Sequence, residues 1–214
     1  MNEKELTLKA KENKKLFIEA LSKVNRSGIP ELLDYLEATD FYIAPASTKY
    51  HCNFYGGLCE HSLNVYRNIL KLNNEFNLNI NNDSLVLVSL LHDISKTNFY
   101  EEYFQNKKLY SSGGSKVDEG GRYDWVSVKS YRIKEPELRF VSGEHGFNSY
   151  MIIKDFIELN NEEISAIVNH HLGMDNGYCF KDMNEVCDRY PIVTLLHLAD
   201  MCSVYFTENK TYHE

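Results

Sequence analysis

The sequence predicts a mainly α-helical bundle that carries a small β-hairpin insertion. Three observations lead there. Leu58, His61, Val65, Ile69 and Leu72 fall at steps of three and four, which places them on one helical stripe. Residues 85–91 are almost wholly apolar, as in a helix buried on most sides. Between residues 99 and 131 the texture changes: aromatic residues alternate loosely with polar ones around Gly113-Gly114 and Gly120-Gly121, the pattern of strands and turns.

Along the chain, residues 3–25 are rich in Lys, Glu, Leu and Ala and suit one or two amphipathic helical turns over a core. Ser27-Gly28-Ile29-Pro30 reads as a turn opening a new helix, with Pro30 in its first turn. Residues 39–55 read as an irregular connection, and Gly56-Gly57 precedes the first clear helical stripe. Asn82, Asp83 and Ser84 offer capping side chains for the apolar helix that ends at His92-Asp93. The insertion is expected to hold strands near 99–110 and 122–132, joined by a flexible, partly disordered tip. Helical pattern returns over 144–159, 161–171 and 191–206, and the polar stretch 207–214 is expected to fray.

The chain has 214 residues, 43% of them hydrophobic and 25% charged, and no Pro-, Gly- or Ser-rich linker divides it. It is therefore read as one domain, with 1–50 a helical extension, 99–133 the hairpin-like insertion and 207–214 a tail. No apolar run approaches the roughly 20 residues of a membrane span, and the polar start Met1-Asn2-Glu3-Lys4-Glu5 shows no secretory pattern, so a cytoplasmic location is expected. Five cysteines without a C-x-x-C pair fit reduced thiols. A net charge of −8 argues against a grip on long nucleic acid, but leaves a small anionic substrate open.

The chemistry gathers at Leu91-His92-Asp93-Ile94, where an imidazole and a carboxylate end an apolar run. Burying both is costly without a partner, and a divalent cation suits such a pair. Asp200 makes the same demand, since Leu196, Asp200 and Val204 are spaced by fours in an apolar helix. His61 alone would be unremarkable, because a histidine on an apolar face is more often a satisfied core residue. His145 follows in Gly143-Glu144-His145-Gly146, and one of His170-His171 completes the set. Periodicity favours His171, at steps of three, one and three from Ile164 through Ile167 and Val168, and leaves His170 on the flank, where it would serve a helix C-terminus.

This order resembles the HD-domain metal-dependent phosphohydrolase superfamily, in a branch of small bacterial and phage hydrolases. Gly56-Gly57-Leu58-Cys59-Glu60-His61 resembles its first-ligand helix, His92-Asp93-Ile94-Ser95-Lys96 its His-Asp-x-x-Lys signature, and Leu196-His197-Leu198-Ala199-Asp200 its last-ligand segment. The resemblance covers roughly residues 50–206 and implies an HD-domain helical bundle. It also implies that His61, His92, Asp93 and Asp200 hold one metal and that His145 and His171 add a second, bridged through Asp93. A mononuclear four-ligand site is the alternative. Imidazole and carboxylate ligands suit Mn, Fe, Mg or Ni better than structural zinc.

The implied activity is hydrolysis of a phosphate ester of a nucleotide or related small molecule by a metal-activated water, with Asp93 and Lys96 catalytic. Lys96, four residues after His92 and so on its helical face if the helix persists, would also bind substrate, as would His51, next to the glycine turn. Tyr55, Arg122, Lys129 and Arg132 are further candidates. The aromatics Tyr100, Tyr103, Phe104, Tyr110, Tyr123 and Trp125 would pack against the helices or stack a base. The competing functions are a di-iron oxygenase of the inositol-oxygenase type and a non-catalytic nucleotide sensor. The oligomeric state is left open.

Overall fold

The computed structural model describes residues 2–141, 143–172 and 180–208. Helix α1 (Glu3–Leu21) begins with a capping box: the Glu5 amide donates to the Asn2 side chain at 3.0 Å and the Asn2 amide donates to the Glu5 carboxylate at 2.8 Å. Ala10, Asn13, Phe17 and Leu21, at steps of three and four, form its buried face. The stretch read as one or two turns is thus a single 19-residue helix. Helix α2 (Ile29–Glu37) carries Pro30 in its first turn, as expected, and buries Ile29, Leu32 and Leu36.

Helix α3 (Gly57–Glu75) is the central element, packed against α1, against α4 (Asn82–Leu91) and against α8 (Pro191–Cys202). Helix α4 is capped by Asn81, which accepts from the Asp83 and Ser84 amides, and every residue from Ser84 to Leu91 is buried. The remaining helices are α5 (His145–Ile153), α6 (Asn161–Val168) and α7 (Phe180–Arg189); α7 was not anticipated. The helices expected over 144–159 and 161–171 therefore stop early. Beyond α8 the chain does not continue as α-helix to residue 206 but widens into a π-helical turn, Ser203–Glu208. Thr207 and Glu208 belong to this turn instead of a frayed tail, and Glu208 is buried; residues 209–214 lie outside the described residues. No helix among the described residues is long and apolar enough to cross a membrane.

The insertion forms an antiparallel sheet of β1 (Tyr100–Tyr110), β2 (Lys116–Asp118) and β3 (Gly121–Ile133), ordered β1-β3-β2. The register runs from Tyr100↔Ile133 to Tyr110↔Tyr123. The tip expected to be partly disordered instead supplies β2, which pairs with β3 and gives the ribbon the third strand that an isolated hairpin needs. Packing of its aromatics on the helices is not what the sheet does with most of them. Phe104 is 73% and Trp125 49% exposed, and Tyr110, Tyr123 and Trp125 line one face with the Lys108 ammonium 4.5 Å from the Tyr123 ring centre. Tyr100, at the root, donates its hydroxyl to the Ala46 carbonyl at 3.2 Å.

The N-terminal extension is tied to the core by one buried charge. Glu163, fully buried in the first turn of α6, receives both Nη atoms of Arg26, at 2.8 and 3.4 Å, the Ser84 hydroxyl at 2.7 Å and the Asn160 amide at 2.8 Å. Removing Arg26 would strand that carboxylate. We expect Arg26→Ala to cost about 3 kcal/mol, the usual scale for an orphaned buried charge, read as a lowered denaturant midpoint; an unchanged midpoint would mean the remaining hydrogen bonds suffice.

Candidate metal centre

Each chemical group sits at an element boundary that the sequence builds for it. Gly56 adopts a left-handed φ of 81° to start α3, and a Cβ on Gly57 would lie 1.9 Å from the Cys52 carbonyl oxygen. Only glycines allow α3 to start this close to residue 52, and His61 follows in its second turn. Helix α4 ends at Leu91; His92 caps it, and Asp93 lies at φ −108°, ψ 14°, in the sparsely populated bridge region common at functional sites. His145 opens α5, His170-His171 follow the end of α6, and Asp200 lies in α8.

These groups converge. The Nε2 atom of His61 is 3.2 Å from Asp200 Oδ1 and 3.6 Å from Asp93 Oδ2, and His92 Nε2 is 3.5 Å from the same Asp93 oxygen. The other Asp93 oxygen, Oδ1, faces His145 Nε2 at 3.6 Å and His170 Nε2 at 3.8 Å, and these two nitrogens are 3.0 Å apart. His171 Nε2 lies 3.8 Å from Asp200 Oδ2. One carboxylate therefore divides two groups of imidazoles between its two oxygens.

The structure reverses the burial read for the histidine doublet: His170 is 1% exposed, whereas the His171 side chain is 34% exposed. The periodicity was carried past the end of the helix. Helix α6 stops at Val168 and Asn169 leaves helical geometry at φ −110°, so the stripe through Ile164 and Ile167 no longer governs residue 171. His170 turns inward, its Nδ1 donating to the Ile167 carbonyl at 2.7 Å, and His197 of α8 holds the His170 carbonyl at 2.8 Å.

Lys96 is also placed differently. The helix does not persist past Leu91; a 3₁₀ turn, Ile94–Lys96, folds the ammonium back to 2.7 Å from Asp93 Oδ2. His51 stands beside the cluster with its ring centre 4.7 Å from that of His61, and its Nε2 is buried without a hydrogen-bond partner. The three candidate cations named in the insertion are engaged locally: Arg122 with the Gly114 carbonyl, Lys129 with Glu102 and Arg132 with Glu101.

Whether a cation fits can be judged from unsatisfied atoms. His92 Nε2 and Asp93 Oδ1 are both buried without a hydrogen-bond partner, and Asp200 Oδ1, equally buried, has only the His61 Nε2 at 3.2 Å. Each unpartnered atom ordinarily costs about 1–3 kcal/mol, and two of them meet in one place. The outward nitrogens, by contrast, are anchored: His92 Nδ1 at 3.0 Å from the Ser89 carbonyl, His170 Nδ1 at the Ile167 carbonyl, and His61 Nδ1 at 3.0 Å from Glu208. Such contacts leave the Nε2 lone pairs free to face an ion. The triads His61–His92–Asp200, His92–Asp93–His170 and His145–His170–His171 each bring their donor atoms within 4.8 Å of one another.

The protonation states agree. Burial lowers the His92 and His170 imidazoles, which keeps them neutral. Burial would raise Asp93, but Lys96 and the surrounding imidazoles hold it well below the usual carboxylate range. Burial would likewise lower His61, but Glu208 and Asp200 outweigh it and raise the imidazole to about 10. Neighbouring carboxylates thus make a negative site that favours a cation. Of the residues the sequence left out, Glu208 is the principal one. Eight positions after Asp200, it would stand roughly 80° around an ideal α-helix, and only the π turn returns it to the same side.

A family model described as HD domain matches residues 58–204. The matched span contains His61, His92, Asp93, His145, His170, His171 and Asp200, but neither His51 nor Glu208. No curated protein and no solved structure matches the chain.

Two outcomes follow. His170→Ala should lose more bound metal than His171→Ala, by elemental analysis of the purified variants, because the buried imidazole is anchored and the other is a third exposed; equal loss would contradict this. Because an ion must displace the His61 proton below about pH 10, Mn²⁺ affinity should rise with pH, by about tenfold per unit near neutrality. Calorimetry in buffers of different ionisation enthalpy should show about one proton released per ion, and buffer-independent heats would rule that out.

Proposed function

We propose that this chain, which belongs to the HD-domain family of metal-dependent hydrolases, is a phosphohydrolase acting on a phosphate ester of a nucleotide or related small anion. The observation that carries the reading is Asp93 itself, whose two oxygens face separate imidazole groups. Asp93 with His61, His92 and Asp200 would hold one ion, and His145, His170 and His171 would supply ligands for a second. Manganese, iron, magnesium and nickel all match this nitrogen and oxygen donor set. Bound there, such ions supply Lewis acidity and a water acidic enough to attack phosphorus at neutral pH.

The chain's own residues do the rest. Asp93 and Asp200 remain ionised, and the anchored imidazoles hold their lone pairs fixed, so the site is organised before substrate arrives. Lys96, tethered to Asp93 by one of its three N–H bonds, keeps the other two for a phosphoryl oxygen and offsets the charge that develops as the P–O ester bond breaks. His51, with its unpartnered Nε2 and an imidazole lowered to about 4 chiefly by burial, presents a neutral hydrogen-bonding group beside His61.

Protein loaded with Mn²⁺ and offered nucleotides, cyclic dinucleotides and short oligonucleotides should release phosphate or cut a diester. Asp93→Ala should abolish both metal occupancy and turnover. Lack of turnover on every substrate by protein whose metal content is full would defeat the proposal and favour a nucleotide-binding sensor.

A further inference from the structure

Three imidazoles of the centre have their Nδ1 atoms held, but not by the same kind of group. His92 and His170 lie just past the ends of α4 and α6, and each uses the carbonyl three residues back, Ser89 and Ile167, in the last turn of its helix. Such terminal carbonyls have no intrahelical amide to serve. His61 has no such option. It lies in the second turn of α3, where the carbonyls behind it accept the helix's own amides. Its Nδ1 must find a partner elsewhere, and it finds Glu208, at 3.0 and 3.3 Å from the two carboxylate oxygens.

Glu208 is built into this position. It is 3% exposed and accepts from the Asn64 amide at 3.0 Å. Asn64, one turn along α3 from His61, is itself held by Arg67 through a 3.0 Å bond to its side-chain oxygen. The carboxylate is oriented by Asn64 and meets His61 on the nitrogen facing away from Asp93 and Asp200. Ser203, which starts the π turn, receives the Asn68 amide at 2.9 Å, so the turn that presents Glu208 is itself fastened to α3.

We infer that Glu208 is a positioning residue of the metal centre, fixing the His61 ring with its Nδ1 protonated and its Nε2 lone pair directed at the ion. This rests on the metal-centre reading above, but concerns a residue outside the span that the HD-domain model matches. A carboxylate also makes the imidazole a stronger donor than a carbonyl does, so His61 becomes a more electron-rich ligand than His92 or His170.

The test is calorimetric titration of Mn²⁺ into wild type, Glu208→Gln and Glu208→Ala, with the visible absorption of the Co²⁺-loaded proteins as a second readout. Glu208→Ala should bind Mn²⁺ about 10–100-fold more weakly, the usual cost of losing such a partner. Glu208→Gln, which keeps the volume and an accepting oxygen, should fold normally, fall between the two and still shift the Co²⁺ bands. A merely structural role would lower the melting temperature of the metal-free protein and leave those bands unmoved, which would overturn the inference. Wild-type affinity and spectrum in both variants would overturn it alone. A wild type that binds neither Mn²⁺ nor Co²⁺ would instead bring down the metal-centre reading on which it stands.

Discussion

A fully buried carboxylate surrounded by imidazoles is the constraint around which this chain is organised. Asp93 cannot be housed by packing alone: an ionised carboxyl removed from water needs opposite charge or donors on every side. The fold supplies them by bringing the beginning of α3, the end of α4, the start of α5, the end of α6 and the last turn of α8 to one point. Helix termini suit that purpose because their backbone groups are unspent and can orient side chains, as the Ser89 and Ile167 carbonyls do. Hydrophobic burial along α3, α4 and α8 provides the driving force that holds these ends together against the mutual repulsion of Asp93, Asp200 and Glu208.

Much of this was legible in the residues, and what was not has definite physical causes. The helical class and the insertion followed from periodicity and texture, and the inward placement of His61 and Asp200 from helical spacing, whereas the gathering of His61, His92, Asp93, His145 and Asp200 was what the family resemblance implied. The burial of the histidine doublet was misread because periodicity holds only while the helix does, and α6 ends at Val168, three residues before His171. Lys96 was placed on a helical face that a 3₁₀ turn replaces. Glu208 was hidden in a stretch that looked like polar tail, since nothing in Thr207-Glu208 announces a π turn. The insertion's aromatics were expected to pack on the helices or stack a base; Phe104, Tyr110 and Trp125 are exposed on the sheet, whereas Tyr100 at the root is tied to Ala46.

The ribbon begins four residues after Lys96, with only Thr97, Asn98 and Phe99 between that ammonium and β1. Its foot is pinned on both sides: the Asn98 amide donates to Asp40 at 2.6 Å, and the Lys134 amide donates to the Phe99 carbonyl at 3.0 Å. From there β1 extends over 11 residues, roughly 36 Å at the rise of an extended strand. The geometry is that of a long lever with a short inner arm. Tyr110, at the far end of β1, is thus joined by one continuous antiparallel ladder to the short segment that sets Lys96 against Asp93.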